Sequence, residues 1–432
     1  MHRHSFDPRA RALLCGLLTL GPALLSGCSA DAGEPAAAAT VYEGARVITG
    51  DGAAPIEDAV LVVVNDRFTA VGPRASVEVP EGATRVDLAG KTVIPALINT
   101  HMHPATTRSD LIRDLEHDAY WGVGAVLSMG SDSSAHSFAI RSEVVPNAAR
   151  LRTAGRGITR PEPGRTEVPH WVTTEAEARA AVQDNAAKQV DIIKIWVDER
   201  NGQYEKLDPP LYTAVIDEAH TAGLKVTAHI FALEDAKGLV RAGLDAFAHS
   251  VRDKDVDDEF IALLKEHPNV VLVPNLPDPG VAADLSWLAA TVPADQLAEM
   301  QAQATDRPAA QETFGIQARN LDRLSREGMK IAFGTDGANP WAAHTELADM
   351  VRAGLTPAQA LVAATSASAE LMGLQNDIGT VAAGKSADFV VLDANPLDDI
   401  TNTRKISAVY LRGAPVDRAG ISGRLTAAAP TP

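Results

Sequence analysis

From Val41 onward, short apolar runs alternate with turn residues, which is the signature of β structure. Val41–Ile48, Ala59–Val64, Phe68–Val71 and Arg85–Leu88 read as strands. They are cut by Gly50-Asp51-Gly52, Asn65-Asp66 and Gly72-Pro73. The same character returns in Ala387–Leu392 and Ile406–Arg412. Residues 41–92 plus 373–418 therefore predict a small composite β-sandwich assembled from both ends of the chain. Over 93–372 the pattern changes to strands alternating with helices. Strands are expected at Val93–Asn99, Gly124–Met129, Leu151–Ala154, Val190–Trp196, Lys225–Ala228, Ala246–Ala248, Val270–Pro274 and Lys330–Gly334. Amphipathic stretches such as Glu175–Lys188, Pro209–Ala222, Glu234–Ala242 and Asp257–Glu266 lie between them. Eight β/α alternations over roughly 250 residues predict a (β/α)8 TIM-type barrel, with function at the C-terminal strand ends. A doubly wound open sheet is the competing arrangement, and periodicity alone does not choose between the two.

The N-terminal region has a different pattern. Arg3, Arg9 and Arg11 precede an apolar stretch, Leu13 to Leu25, that is short for a bilayer span of about 20 residues. It ends in Leu25-Ser26-Gly27-Cys28, which resembles a bacterial lipoprotein cleavage motif. Residues 1–27 are thus expected to be a lipoprotein signal peptide, with Cys28 lipidated and 28–40 a flexible tether. This implies an exported protein, lipid-anchored in the bacterial envelope and facing the periplasm, whose only membrane contact is the anchor. Residues 419–432 are expected to be a disordered tail.

Composition narrows the chemistry. The 432 residues carry a formal charge of −17 with no basic cluster in the body of the chain, which argues against nucleic acid as a partner. A small-molecule substrate is the natural partner, and a homo-oligomer is compatible with the sequence. The two cysteines are Cys15 and Cys28. The body therefore has no thiol for a disulfide, a nucleophile or a metal. Any metal site must use imidazole and carboxylate, donors that suit Zn or a similar divalent ion.

Such donors recur at strand ends. His101 and His103, two apart, share one face of their strand. His229 and His249 each follow a predicted strand and are one β/α unit apart. Asp336 follows Ile331–Thr335 between Gly334 and Gly337. One histidine at a strand end is ordinarily a hydrogen-bonded structural residue, but four histidines and an aspartate at four such ends point to a metal site. Lys194 lies within an otherwise apolar strand, where a free ammonium costs several kcal/mol unless paired. It either pairs with an internal carboxylate or is carboxylated by CO2 into an anion, and residue chemistry alone leaves both open. His170, Arg252 and His344 are candidate substrate contacts from loops, though each reads more readily as a surface or supporting residue. Arg252 could clamp a carboxylate or pair with Asp253 or Asp255. No Gly-x-Ser-x-Gly elbow is present.

The segments VIPALINTHMH (93–103), VDIIKIWVD (190–198), GLKVTAHIF (223–231), GLDAFAHS (243–250), FGTDG (333–337), AGLTPAQALVAAT (353–365) and IGTVAAGKSADFVVLDANPL (378–397) resemble the binuclear metal-dependent amidohydrolase superfamily, in its imidazolonepropionase-like and Xaa-Pro dipeptidase-like branch. The resemblance spans about 41–417. It implies that His101, His103 and Asp336 bind one metal ion and His229 and His249 a second. Carboxylated Lys194 bridges them, and Asp336 shuttles the proton. It also implies hydrolysis of amide-type C–N bonds (peptide, N-acyl amino acid or cyclic amide) by a metal-bridged hydroxide. A lactonase, esterase or phosphotriesterase could use the same site, and so, without turnover, could a binding lipoprotein. The sequence departs from the branch at Ala96 and Asn99, where Gly and Asp are common, and at Phe231, where dipeptidase-like members often carry a substrate-facing Tyr.

Overall fold

The structure is a computed structural model that describes residues 39–337 and 339–427. The expected signal peptide, Cys28 and all but the last two residues of the tether lie outside the described residues. Among the described residues, no helix is long and apolar enough to cross a membrane.

Eight parallel strands carry the middle of the chain: β1 (Leu97–Met102), β2 (Val123–Ser128), β3 (Arg150–Thr153), β4 (Ile193–Val197), β5 (Val226–Ile230), β6 (Ala246–Phe247), β7 (Val271–Leu272) and β8 (Lys330–Ile331). Every residue of β1, β2, β4 and β5 is buried, as expected of parallel strands covered on both faces. The intervening helices start on specific caps. Thr174 and Glu177 form a capping box on Glu175–Ala187, and Asp208 with two prolines starts Pro209–Thr221.

Strand pairing among the described residues does not close the eight-stranded barrel expected from the alternation. β1–β3 make a three-stranded sheet, while β4–β8 and two short strands, Ile158–Thr159 and His170–Trp171, make a seven-stranded one. Isolated backbone bonds join their edges, among them Thr100 N–H to the Phe333 carbonyl at 2.8 Å and Asp191 N–H to the Thr153 carbonyl at 2.9 Å. The architecture is a TIM-barrel-like α/β fold.

Among the described residues the two ends of the chain are joined by strand pairing rather than seen as two separate sheets. They share one mixed eight-stranded sheet, in which Thr92–Pro95 sits between Ala39–Val47 and Phe389–Leu392. Alternation alone shows which residues face a core. It does not show whether strands from the two ends pair edge to edge or stack. Tyr42, Phe68, Phe389 and Tyr410 bring their rings together on this sheet. Two boundaries also shift. The predicted strand Val93–Asn99 divides at Pro95-Ala96, its first half joining the mixed sheet and its second half β1. The tail expected to be disordered from 419 is a helix, Arg418–Thr426, through its last described turn. It is anchored by buried Ile421 and by the Arg418 guanidinium 4.3 Å above the Tyr120 ring.

Candidate active site

Pairing of β1 with the end of β8 sets the centre of the site. The His101 carbonyl accepts from Thr335 N–H at 3.1 Å and Asp336 N–H at 2.8 Å, which holds Asp336 in the left-handed region at φ 51°. The Asp336 carboxylate thereby reaches His101 Nε2 at 3.1 Å, His103 Nε2 at 3.2 Å and His249 Nε2 at 3.5 Å. Gly334 is required by close approach. A Cβ there would lie 2.7 Å from His101 Cβ and 2.6 Å from Val273. The imidazoles form a chain, with ring centroids 5.3 Å apart for His101–His103, 5.0 Å for His101–His249 and 4.6 Å for His229–His249.

Lys194 on β4 is fully buried, and its Nζ has no hydrogen-bond partner among the described residues. The internal carboxylate that would have made it a simple ion pair is not among its contacts. The Trp196 ring centroid lies 5.4 Å from its Nζ. Gly157 clears space for that indole, since a Cβ there would fall 2.0 Å from the ring.

The protonation states suit cation binding. Burial pushes His101 and His229 down to about 3 and His249 well below its ordinary value, so the imidazoles are neutral at pH 7. Burial also pulls Lys194 down to about 7. For Asp336 burial acts upward, but hydrogen bonds from His101 and His103 outweigh it and hold the carboxyl well below the usual range.

Whether this donor set fits a metal can be tested on its unsatisfied atoms. His249 Nδ1 and Lys194 Nζ are buried without hydrogen-bond partners among the described residues. Such groups are costly unless something else binds them. One ligand atom each from His101, His249 and Asp336 lies within 4.8 Å of the others, close enough to share an ion. The residues present fit a divalent metal.

Several supporting groups escaped the sequence reading. The Asn275 amide nitrogen donates to the Ala248 carbonyl at 2.6 Å and lies 2.6 Å from His101 Nδ1, fixing that ring. Ser131 Oγ lies 3.1 Å from His103 Nδ1, and the Asn99 carboxamide accepts from His101 N–H at 3.1 Å. Asp198 Oδ2 meets His229 Nε2 at 2.8 Å, and Arg200 Nη1 lies 2.9 Å from the same nitrogen. Asn275, Asp198 and Arg200 all follow strand ends, so strand-end position was the available signal.

The candidate substrate contacts separate. Arg252 stays beside the site, its N–H donating to the Phe231 carbonyl at 2.9 Å. His170 does not join the cluster; its Nε2 lies 3.1 Å from Asp184 of the helix Glu175–Ala187. His344 is a core residue, buried between Trp121 and Trp287, with Nε2 2.9 Å from the Trp121 carbonyl and Nδ1 3.0 Å from Thr403. Its helix, Ala342–Arg352, turns that position inward, an orientation that spacing past Asp336 does not reveal.

Residues 92–416 match the amidohydrolase family, three quarters of the chain, and the protein belongs to that family. Imidazolonepropionase from Deinococcus radiodurans is 29% identical over 392 residues, covering 83% of this chain and 92% of the relative. Among solved structures, a Xaa-Pro dipeptidase with bound methionine superposes with a TM-score of 0.70 at 20% identity, covering 88% of this chain and 99% of the other. Phenylurea hydrolase B gives 0.71 at 24%, covering 89% and 98%. At these identities the structural likenesses establish the fold. Family and curated relatives together make this an enzyme of hydrolytic C–N bond cleavage, in a family that generally binds metal ions.

Proposed function

We propose that the protein hydrolyses amide-type C–N bonds of a small molecule with two divalent metal ions, zinc first among the candidates. His101, His103 and Asp336 would hold one ion, and His229 and His249 the other. Lys194, carboxylated on Nζ, would bridge them. The observation that supports this reading is the buried Lys194 amine, without a hydrogen-bond partner among the described residues, beside neutral imidazoles and an ionised aspartate. A nitrogen with a pKa of about 7 is substantially unprotonated at neutral pH. Its lone pair can attack the carbon of CO2, forming the N–C bond of a carbamate and releasing one proton.

Divalent ions at such a site, when bound, supply Lewis acidity that activates water and polarises a carbonyl. The protein's own residues do the rest. The Asp336 carboxylate accepts a proton as water attacks and delivers it to the leaving nitrogen as the C–N bond breaks, giving an acid and an amine. Its side chain is 38% exposed, so substrate can reach it. Asn275 and Ser131 hold the His101 and His103 rings, and Asp198 holds His229.

The test is metal content measured beside turnover. Lys194→Ala is expected to lose bound metal and activity together while keeping its far-UV spectrum, and short carboxylic acids are expected to restore a fraction of both. A Lys194→Ala protein that keeps two metals per chain and full turnover contradicts the bridge.

A further inference from the structure

Two guanidinium groups beside the histidine cluster have unused donors. Arg200 follows β4. Its Nη1 donates to Asp198 Oδ2 at 2.7 Å, and its Nε lies 3.3 Å from buried Glu162. Its Nη2 is nonetheless buried without a hydrogen-bond partner among the described residues. Arg252, three residues past His249, is in the same condition at Nη2. Neither neighbouring acid pairs with it. Asp253 accepts from Leu233 N–H at 3.0 Å, and Asp255 holds Arg319 at 2.8 Å. Burial draws the Arg252 guanidinium below its ordinary range, with Asp336 and Asp198 opposing.

The nearby acids are already committed: Asp198 to His229 and Arg200, Glu162 to Arg165 and Arg200, and Asp336 to the histidines. A buried cationic donor left open is expensive, and a guanidinium fork matches a carboxylate in shape and charge. Phe231, whose carbonyl accepts from the Arg252 backbone N–H, is 39% exposed, an unusual position for a large apolar side chain here.

We propose that Arg252 and Arg200 form a carboxylate-recognition site beside the histidine cluster, so that the substrate is an amide carrying a free carboxylate near the scissile bond and an apolar group that rests on Phe231. This rests on the reading of the cluster as the hydrolytic site. N-acyl amino acids and short peptides with a free C-terminus have this chemistry; neutral amides and ureas do not.

The experiment is calorimetric binding of benzoate and of its neutral isostere benzamide to the full chain, metal-loaded and chelator-treated. Benzoate is expected to bind at least about 10-fold tighter in both states, on the strength of charged hydrogen bonds. Arg252→Gln should cut benzoate affinity by about 10-fold or more in both states, and Arg252→Lys should recover part of it. Equal affinity for the two probes overturns the site. So does benzoate binding that vanishes with the metal and ignores Arg252→Gln, because the carboxylate is then a metal ligand. If Arg252→Gln does not fold, wild-type selectivity and Arg252→Lys decide the matter. A chain that binds no metal yet keeps this selectivity would remove the hydrolase reading and leave the anion site standing.

Discussion

Asn275 occupies the left-handed region at φ 44° so that its amide can reach both the Ala248 carbonyl and His101. Replacing it by Ala releases the His101 ring and forces Ala into a costly backbone conformation. Metal affinity and kcat should each fall about 10- to 100-fold, read by metal titration and steady-state kinetics. His344 makes a separate prediction about pH. Burial lowers it from 6.5 to about 3 in the folded protein. Between those values the unfolded chain binds the proton and the folded one does not, so stability falls as pH drops from 6.5 toward 3. The slope from this group is at most about 1.4 kcal/mol per pH unit. His344→Gln should flatten that acid limb in urea melts and make little difference to its slope above pH 7. At this scale the sequence revealed which residues share a strand face, and so His101, His103 and the burial of Lys194. It could not reveal His344 turning into the core, because one residue on a helix carries no record of which way the helix faces.

Elements were legible where their signals were local. All eight parallel strands lie at or overlap their predicted positions, because continuous apolar runs bounded by turns mark them. Long-range pairing was not legible. Thr92–Pro95 pairs with Phe389–Leu392, nearly three hundred residues away, and no local pattern records that register. The C-terminal helix was missed for a related reason. Arg418–Thr426 contains two glycines and reads as weakly helical, yet tertiary contacts form it. Asp417 caps it, Arg418 donates to the Tyr120 and Ile406 carbonyls, and Arg424 pairs with Glu116 at 2.7 Å. Removing 418–432 should therefore destabilise the protein by about 2–4 kcal/mol, chiefly through loss of the Ile421 burial and of the Arg418 contacts. A thermal melt of the truncated chain checks this; an unchanged midpoint would show that the helix is peripheral.

For the whole molecule, the strand ends bring together the proposed ligands from β1, β4, β5, β6 and β8, so metal binding should tie the sheets together. Chelation is expected to lower the melting temperature by about 5 °C, reversed by Zn2+ or Mn2+. The fold frame, and the convergence of His101, His103, His229, His249 and Asp336, were readable because strand-end residues of a parallel α/β fold converge whatever the loops do. The supporting residues on those loops, Arg200 and Asn275 above all, were not, since their role depends on side-chain direction.

The most direct test is the electron density of the metal-loaded protein at Lys194, with anomalous scattering recorded at the metal edge. Two metal peaks are expected per chain, among His101, His103, His229, His249 and Asp336, with carboxyl density continuous from Lys194 Nζ between them. Two fully occupied metals beside an unmodified Lys194, in a preparation with full turnover, would contradict the proposed bridge.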